Sequence, residues 1–151
     1  MILNNQLLTF PELTVNQLYQ ILRLRSEVFV QEQNCAYLDV DGLDQQALHL
    51  LSFDEKQQLV AYARILTPEQ NQNAFSCIGR VVVSKKKRQQ NLGYHLMEQA
   101  IHQTLQKFPN FPIKISAQTY LSKFYQSLGF INTGHFYLED NIPHQEMVYQ
   151  P

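Results

Sequence analysis

Several things are scarce in this sequence. Two cysteines, Cys35 and Cys77, stand in 151 residues. That is too few for a disulfide framework or a Cys-rich zinc site, and both are expected as buried free thiols in a reducing compartment. No apolar run approaches the ~18–20 residues of a membrane span. The opening MILNNQLLTF lacks the basic start and apolar stretch of a signal peptide, so the chain is expected in the cytoplasm. Neither sign of charge prevails: 12 basic and 13 acidic side chains give a net charge of -1. Bulk binding to nucleic acid or to a membrane has no electrostatic support. GxxxxGK[ST] and GxGxxG are both missing, which excludes an ATP-type P-loop and gives a dinucleotide fold no support. The five glycines and six prolines mark no linker, and no repeat occurs. The length fits one domain, residues 1–151.

What is present is enough for a core: 44% of residues are hydrophobic and 11% aromatic. The positive charge is gathered in one place. Five of the 12 basic residues lie between Arg80 and Arg88, and Lys85, Lys86, Lys87 and Arg88 are consecutive.

Periodicity gives an element order. Residues 6–10 read as a short strand. Residues 14–31 read as a helix opened by a Thr14–Gln17 capping box, with Val15, Leu18, Leu22 and Phe29 on one face. Arg25 interrupts that stripe. It is read either as an ion pair at the domain edge, for instance with Glu32, or as a charge facing a cleft. Asp39, Asp41 and Asp44 suggest calcium, but position 12 counted from Asp39 is Leu50, not Glu. A solvated acidic loop, or a lip for a cationic substrate, is expected instead. Strands are expected at 49–53, 59–66 and 75–83, as an antiparallel meander. Residues 92–107 form an amphipathic helix ended by Pro109 and Pro112. A strand at 113–117 and a helix at 120–128, closed by Gly129, follow. Strands at 130–139 and 145–149 are joined by a loop, DNIPH, whose Pro143 suits a turn. The order predicts an α/β (α+β) fold: a mixed, mostly antiparallel sheet of about six to seven strands with helices on both faces.

The informative stretch is CIGRVVVSKKKRQQNLGYHLMEQAI. A β-branched strand runs through a short basic loop into a helix. That junction turns free backbone N–H groups outward with the positive end of the helix dipole behind them, a ready anion site. Gly93 lets an anion approach the backbone closely, and Asn91 tolerates positive φ.

The segment Arg88-Gln89-Gln90-Asn91-Leu92-Gly93 resembles the pyrophosphate-binding motif of the GNAT superfamily of N-acetyltransferases, [QR]-x-x-G-x-[GA], with Asn91 in place of the first glycine. Farther on, Phe124-Tyr125-Gln126-Ser127-Leu128-Gly129-Phe130 is similar to the superfamily's F-Y-x-x-x-G-F signature. The run RSEVFVQEQNCAY from Arg25 to Tyr37, followed by Asp39, Asp41, Asp44 and His49, resembles the ElaA-like branch. So do Ile142-Pro143-His144 and Met147. The resemblance spans residues 10–149.

It implies a sheet splayed between its fourth and fifth strands, and acetyl transfer from acetyl-CoA to an amine of a small molecule or protein in a ternary complex. The CoA pyrophosphate would sit on the amides of Gln89, Gln90, Asn91, Leu92, Gly93 and Tyr94, with Arg88 beside them. The pantetheine arm would pair with Val81, Val82 and Val83, whose strand end would offer an N–H to the thioester carbonyl. Tyr125 would donate to the departing thiolate. Glu32, His49, Glu139 and His144 are candidate bases, with His144 and Glu32 foremost. No metal is called for. His95 and His102, seven apart, lack the four-residue spacing of a helical zinc pair and are read as surface residues. The partners implied are acetyl-CoA and an amine acceptor, with no nucleic acid or membrane, in a monomer or homodimer. Two rival readings are a non-catalytic acyl-CoA sensor of the same fold and a nucleic-acid module built on KKKR.

Overall fold

The computed structural model describes residues 3–151. β1 (Asn4–Thr9), β2 (Leu48–Phe53), β3 (Leu59–Leu66) and β4 (Ser76–Val83) pair antiparallel in chain order. The connections from β2 to β3 and from β3 to β4 are too short for a crossover, which forces this meander. α2 (Leu92–Lys107) then carries the chain over the sheet to β5 (Ile113–Gln118), which lies parallel to β4. β6 (Ile131–Glu139) and β7 (Ile142–Tyr149) complete the order β1-β2-β3-β4-β5-β7-β6. The mixed seven-stranded sheet expected from the sequence is the architecture, and β4–β5 is its one parallel pair.

Helices cover both faces. On one, Ile21 and Leu24 of α1 (Val15–Arg25), with Val28 beyond it, pack on Leu51, Phe53, Tyr62 and Val82. On the other, Leu96, Met97, Ala100 and Ile101 of α2 pack on Leu50, Ala63, Ile65, Ile78 and Ile113. Each Leu, Ile, Val, Phe or Met among them, fully buried, contributes roughly 1.5–3 kcal/mol. α3 (Ser122–Ser127) follows β5. No helix among the described residues is long and apolar enough to cross a membrane.

Three local expectations are corrected. The helix read over 14–31 is α-helical only to Arg25; Ser26–Glu32 continue as a π-helix. Its buried row is Ile21, Leu24, Arg25 and Val28, whereas Val15 is 88% exposed. Arg25 thus belongs to the buried face, because buried aspartates neutralise it there. Finally, DNIPH is not a loop. β7 starts at Ile142, and Asp140 and Asn141, both at positive φ, make a two-residue hairpin turn. Pro143 fits inside this strand because β5 pairs with β7 only as far as His144, one residue on.

The sheet opens between β4 and β5. Their pairing covers Ser76–Ile113 and Cys77–Lys114 and then stops. From Ile78 onward, that edge of β4 has no strand beside it. A bulge in β4 sits at the same place: Gly79 pairs with Arg64 and Val82 with Tyr62, so Arg80 and Val81 both oppose Ala63. Arg80 has φ 50, the left-handed region. The inserted residue reverses the alternation. Ser76 N–H bonds toward β5, to the Pro112 carbonyl at 3.0 Å, whereas Ser84 N–H bonds toward β3, to the Val60 carbonyl at 2.8 Å. Past the bulge it is therefore Val81 and Val83 whose amides face the open edge. Side chains agree: Val81 and Val83 pack with the α2 layer and Val82 with the α1 layer.

Candidate active site

The opening forms a cleft of about 510 Å³. Phe29, Cys35, Tyr37, Asp41, Arg64 and Arg80 line one wall, and Ser116, Gln118, Tyr120, Tyr125, Glu139 and His144 the other.

Tyr125 is placed by its motif. α3 ends in a Schellman turn: Phe130 N–H bonds the Tyr125 carbonyl at 3.1 Å and Gly129 N–H the Gln126 carbonyl at 3.0 Å. Gly129 has φ +102, and a Cβ there would stand 2.8 Å from the Tyr149 ring, so only glycine fits. Edge-on contacts to Phe124 (5.1 Å between centroids) and Phe130 (6.0 Å) fix the Tyr125 ring. Its hydroxyl has no hydrogen-bond partner among the described residues. Burial pushes its pKa up to about 12, which keeps the phenol protonated.

His144 stands on β7, 6% exposed. Its Nδ1 lies 2.7 Å from the Ile142 carbonyl. A carbonyl only accepts, so Nδ1 carries a hydrogen, which makes Nε2 the nitrogen that can gain or lose a proton. Glu139 Oε2 is 3.3 Å from Nε2. Tyr137 stacks on the ring at 6.1 Å and 19°, and its own hydroxyl is hydrogen-bonded to Ser116.

The junction before α2 behaves as an unsealed helix start. α1 is closed by its box: Thr14 Oγ1 accepts from Gln17 N–H at 3.0 Å, and Gln17 Oε1 from Thr14 N–H at 2.9 Å. At α2 the cap residue Asn91 is left-handed, with φ 57, and makes no side-chain cap. Gln89, at φ 71, is left-handed too. The first amides of α2 stay open. A Cβ on Gly93 would meet nothing closer than Phe124 and Val83, both at 3.9 Å, so the protein itself does not demand glycine there. Its absence leaves a recess beside Val83.

The Arg/Asp wall corrects the sequence reading most. Arg25, fully buried, donates from Nε to Asp39 at 2.8 Å and from Nη1 to Asp44 at 2.8 Å. Arg64 donates to both oxygens of Asp41, at 2.8 and 2.9 Å, and to Asp44 at 3.1 Å. Arg80 Nη2 donates to the Asp39 carbonyl at 3.0 Å and to Asp41 at 3.2 Å, and its Nε lies 2.8 Å from Asp39 Oδ1. The acidic loop is thus a paired network, not a solvated one. Burial opposes its charges, but the partners prevail. Asp41, bonded by Arg64 and the Leu43 amide, is lowered to about 2, Asp44 is lowered by Arg25 and Arg64, and Arg25 is raised by Asp44.

Other expected residues are placed elsewhere. Glu32 does not line the cleft; it pairs with Arg88 at 2.7 Å, and Arg88 Nε also donates to the Val83 carbonyl at 3.3 Å. His49 is wholly buried, its nitrogens 2.7 Å from the Tyr62 hydroxyl and 2.9 Å from the Asp44 carbonyl, and burial lowers its pKa. It is a structural histidine. Val82 turns its amide to β3, away from the cleft. Cys35 and Cys77 are free and only half-buried, and both line the cleft. His95 and His102 are exposed on α2, as expected. Arg64, Tyr37, Ser116 and Tyr137 escaped the sequence reading. The one signal available was a charge inside the apolar strand LVAYARIL, which needs a buried partner.

Comparison with known proteins agrees with this geometry. A family model described as an acetyltransferase (GNAT) domain matches residues 15–151. Protein ElaA of Escherichia coli is 44% identical over 135 residues, covering 88% of this chain and 87% of that one. The crystal structure of E. coli ElaA superposes with a TM-score of 0.92 over 99% of this chain and 100% of its own. So does that of an acyl-CoA N-acyltransferase from Pseudomonas aeruginosa, at 40% identity, a TM-score of 0.92 and the same coverage. With its splayed seven-stranded sheet and both motifs in place, the chain belongs to the GNAT acetyltransferase family and is ElaA-like.

Proposed function

We propose that the chain moves an acetyl group from acetyl-CoA to an amine of a small molecule or protein, by direct attack in a ternary complex. The observation that carries this reading is that Tyr125 and His144 line one cleft beside the unpaired edge of β4. Three features suit the co-substrate. Val81 and Val83 offer amides to a pantetheine arm. The open amides of Gln89, Gln90, Asn91, Leu92, Gly93 and Tyr94 suit a pyrophosphate. The recess at Gly93 admits it to the backbone. Bound there, acetyl-CoA supplies an activated thioester carbonyl.

The residues divide the work. Val81 N–H faces the carbonyl oxygen and stabilises the charge that develops on it. His144 Nε2 takes the proton of the attacking amine, and Glu139 stands ready to hold it. Tyr125 donates a hydrogen bond to the departing sulfur. With its pKa near 12, complete transfer to a thiolate, whose ordinary pKa is about 8.5, runs uphill, so Tyr125 acts chiefly as a donor. Arg88 and Glu32 brace the loop between β4 and α2.

A thermal-shift series tests cofactor choice. CoA and acetyl-CoA should raise the melting temperature while ATP and NAD do not; no shift with millimolar CoA defeats the reading. The base is tested with acceptors of different basicity. His144→Ala should slow transfer to an alkylamine, which must shed its ammonium proton before it attacks, by roughly 10²-fold or more and slow transfer to hydroxylamine, which is already neutral before it attacks, much less. Equal losses with both acceptors remove His144 as the base.

A further inference from the structure

Among the described residues, nine non-glycine residues have positive φ, and eight of them stand in turns or loops. Arg80 alone lies inside a strand. A left-handed Arg is unfavourable, and such a residue persists only where its surroundings hold it. The surroundings here are specific. Arg80 contacts Asp39 twice and Asp41 once, and its guanidinium lies over the Tyr37 ring at 5.7 Å. Asp39 is itself gripped by buried Arg25 and by the Tyr37 hydroxyl at 2.7 Å, and Asp41 by Arg64.

The strained residue is also the inserted one. Without it, the alternation that starts at Ser76 would send the even-numbered amides to the open edge. Val82 would then face the cleft, and Val81 and Val83 would turn to β3. One residue of bulge thus decides which amides meet the substrate.

We infer that Arg80 is a positioning residue: anchored on Asp39 and Asp41, it holds the β4 bulge and so aims the Val81 and Val83 amides into the cleft. This rests on the function proposed above for the catalytic part of its test, but the aim of the amides can be measured without any activity.

Two substitutions separate backbone from side chain. Arg80→Ala keeps a Cβ and loses the anchor. Arg80→Gly loses the anchor too but adopts positive φ freely. The first readout is amide hydrogen exchange. In the parent and in Arg80→Gly, Val82 should be protected, with Val81 and Val83 exchanging freely. In Arg80→Ala that contrast should collapse. The second readout is acetyl transfer. Arg80→Ala should lose roughly tenfold or more in kcat, a fraction of the ~10²–10³ lost when an oxyanion donor is removed, while Arg80→Gly stays within about fivefold of the parent. Should Arg80→Ala not fold, Arg80→Lys replaces it. It keeps a Cβ but not the two contacts to Asp39, and is expected to fall below Arg80→Gly in both readouts.

The inference is overturned if the Cβ-bearing variant keeps the parent's exchange pattern, or if it and Arg80→Gly lose kcat equally. A parent that shows the exchange contrast but binds no CoA defeats the proposed function and leaves the inference about the backbone standing.

Discussion

The two walls of the cleft handle polarity in opposite ways. On one, three arginines and three aspartates bind each other until every charge has a partner. On the other, the Tyr125 hydroxyl and, beyond it, the first amides of α2 are held in place without a partner among the described residues, and His144 Nε2 faces Glu139 at 3.3 Å. The first arrangement makes a rigid support; the second leaves groups free for a ligand. Even on the paired wall two guanidinium nitrogens, Arg64 Nε and Arg80 Nε, make no hydrogen bond among the described residues, so what sets the walls apart is neutralised charge on the first and unpartnered ligand-facing groups on the second. Substitutions on the two walls should therefore separate, Arg80 apart because it also holds the β4 bulge: stability changes on the first, activity on the second.

The largest effect is expected on the paired wall. Arg25→Met takes one of two arginine partners from each of the buried Asp39 and Asp44 and should lower the unfolding free energy by about 3 kcal/mol in urea titrations. Arg25→Lys should recover little of it, because an ammonium cannot span both carboxylates as a guanidinium does. A loss under 1 kcal/mol would mean that the network does not brace this wall.

Tyr125→Phe comes next. It should reduce kcat by roughly 10²-fold, with CoA affinity unchanged and stability within about 1 kcal/mol of the parent, since the hydroxyl bonds nothing in the protein. An active Tyr125→Phe enzyme would move Tyr125 to the structural side of the comparison.

Acid should act on the paired wall third. The folded-state pKa of Asp41, about 2, lies below its ordinary 3.8. Its pairing therefore stabilises the fold fully above about pH 5 and is lost as pH falls toward 2, a change of about 2 kcal/mol. Asp44, also lowered, adds in the same direction. Urea titrations at pH 6, 4 and 3 should show the decline, and Asp41→Asn should show less of it.

The smallest effect is the sharpest test of the open helix start. Gly93→Ala fits the protein and suits a helix, so stability should rise by up to about 0.5–1 kcal/mol. CoA affinity should nonetheless fall by about tenfold, or ~1.4 kcal/mol, as titration calorimetry would read. Unchanged affinity would mean that no ligand uses the recess.

Much of this was legible in the residues. Periodicity and punctuation gave the element order, and α2 runs over the span its amphipathic face marks, Leu92–Lys107. The two chemistry-bearing motifs are local, and local signals survive in sequence: Gly129 closes α3, and Asn91 takes the left-handed backbone its amide side chain tolerates. The Arg/Asp wall was not legible. Its members come from α1, the following loop, β3 and β4, and Arg25 and Asp39 are 14 residues apart while Arg80 and Asp39 are 41 apart. Charge patterns in a linear chain say nothing of such pairing, so Arg80 looked like part of the basic cluster and the aspartates like a solvated loop. The bulge escaped for a related reason. An inserted residue in SCIGRVVV changes no composition, and only pairing to β3 shows the shift.

The position of β7 bears on how the cleft comes into being. β1 to β4 are laid down in the order in which they pair, so each can add to an existing neighbour as the chain grows. β7 is the last strand made, yet it lies between β5 and β6 and pairs with both. Nascent β5 and β6 therefore have no common partner until residues 142–149 arrive to join them. The half-sheet carrying His144 should be completed last as the chain grows, with the charged wall already standing, because β5 and β6 lack their shared partner until β7 emerges. Until then the edges of β5 and β6 are exposed to aggregation, and the nascent chain presents the open edge of β4 before the opposite wall of the cleft exists.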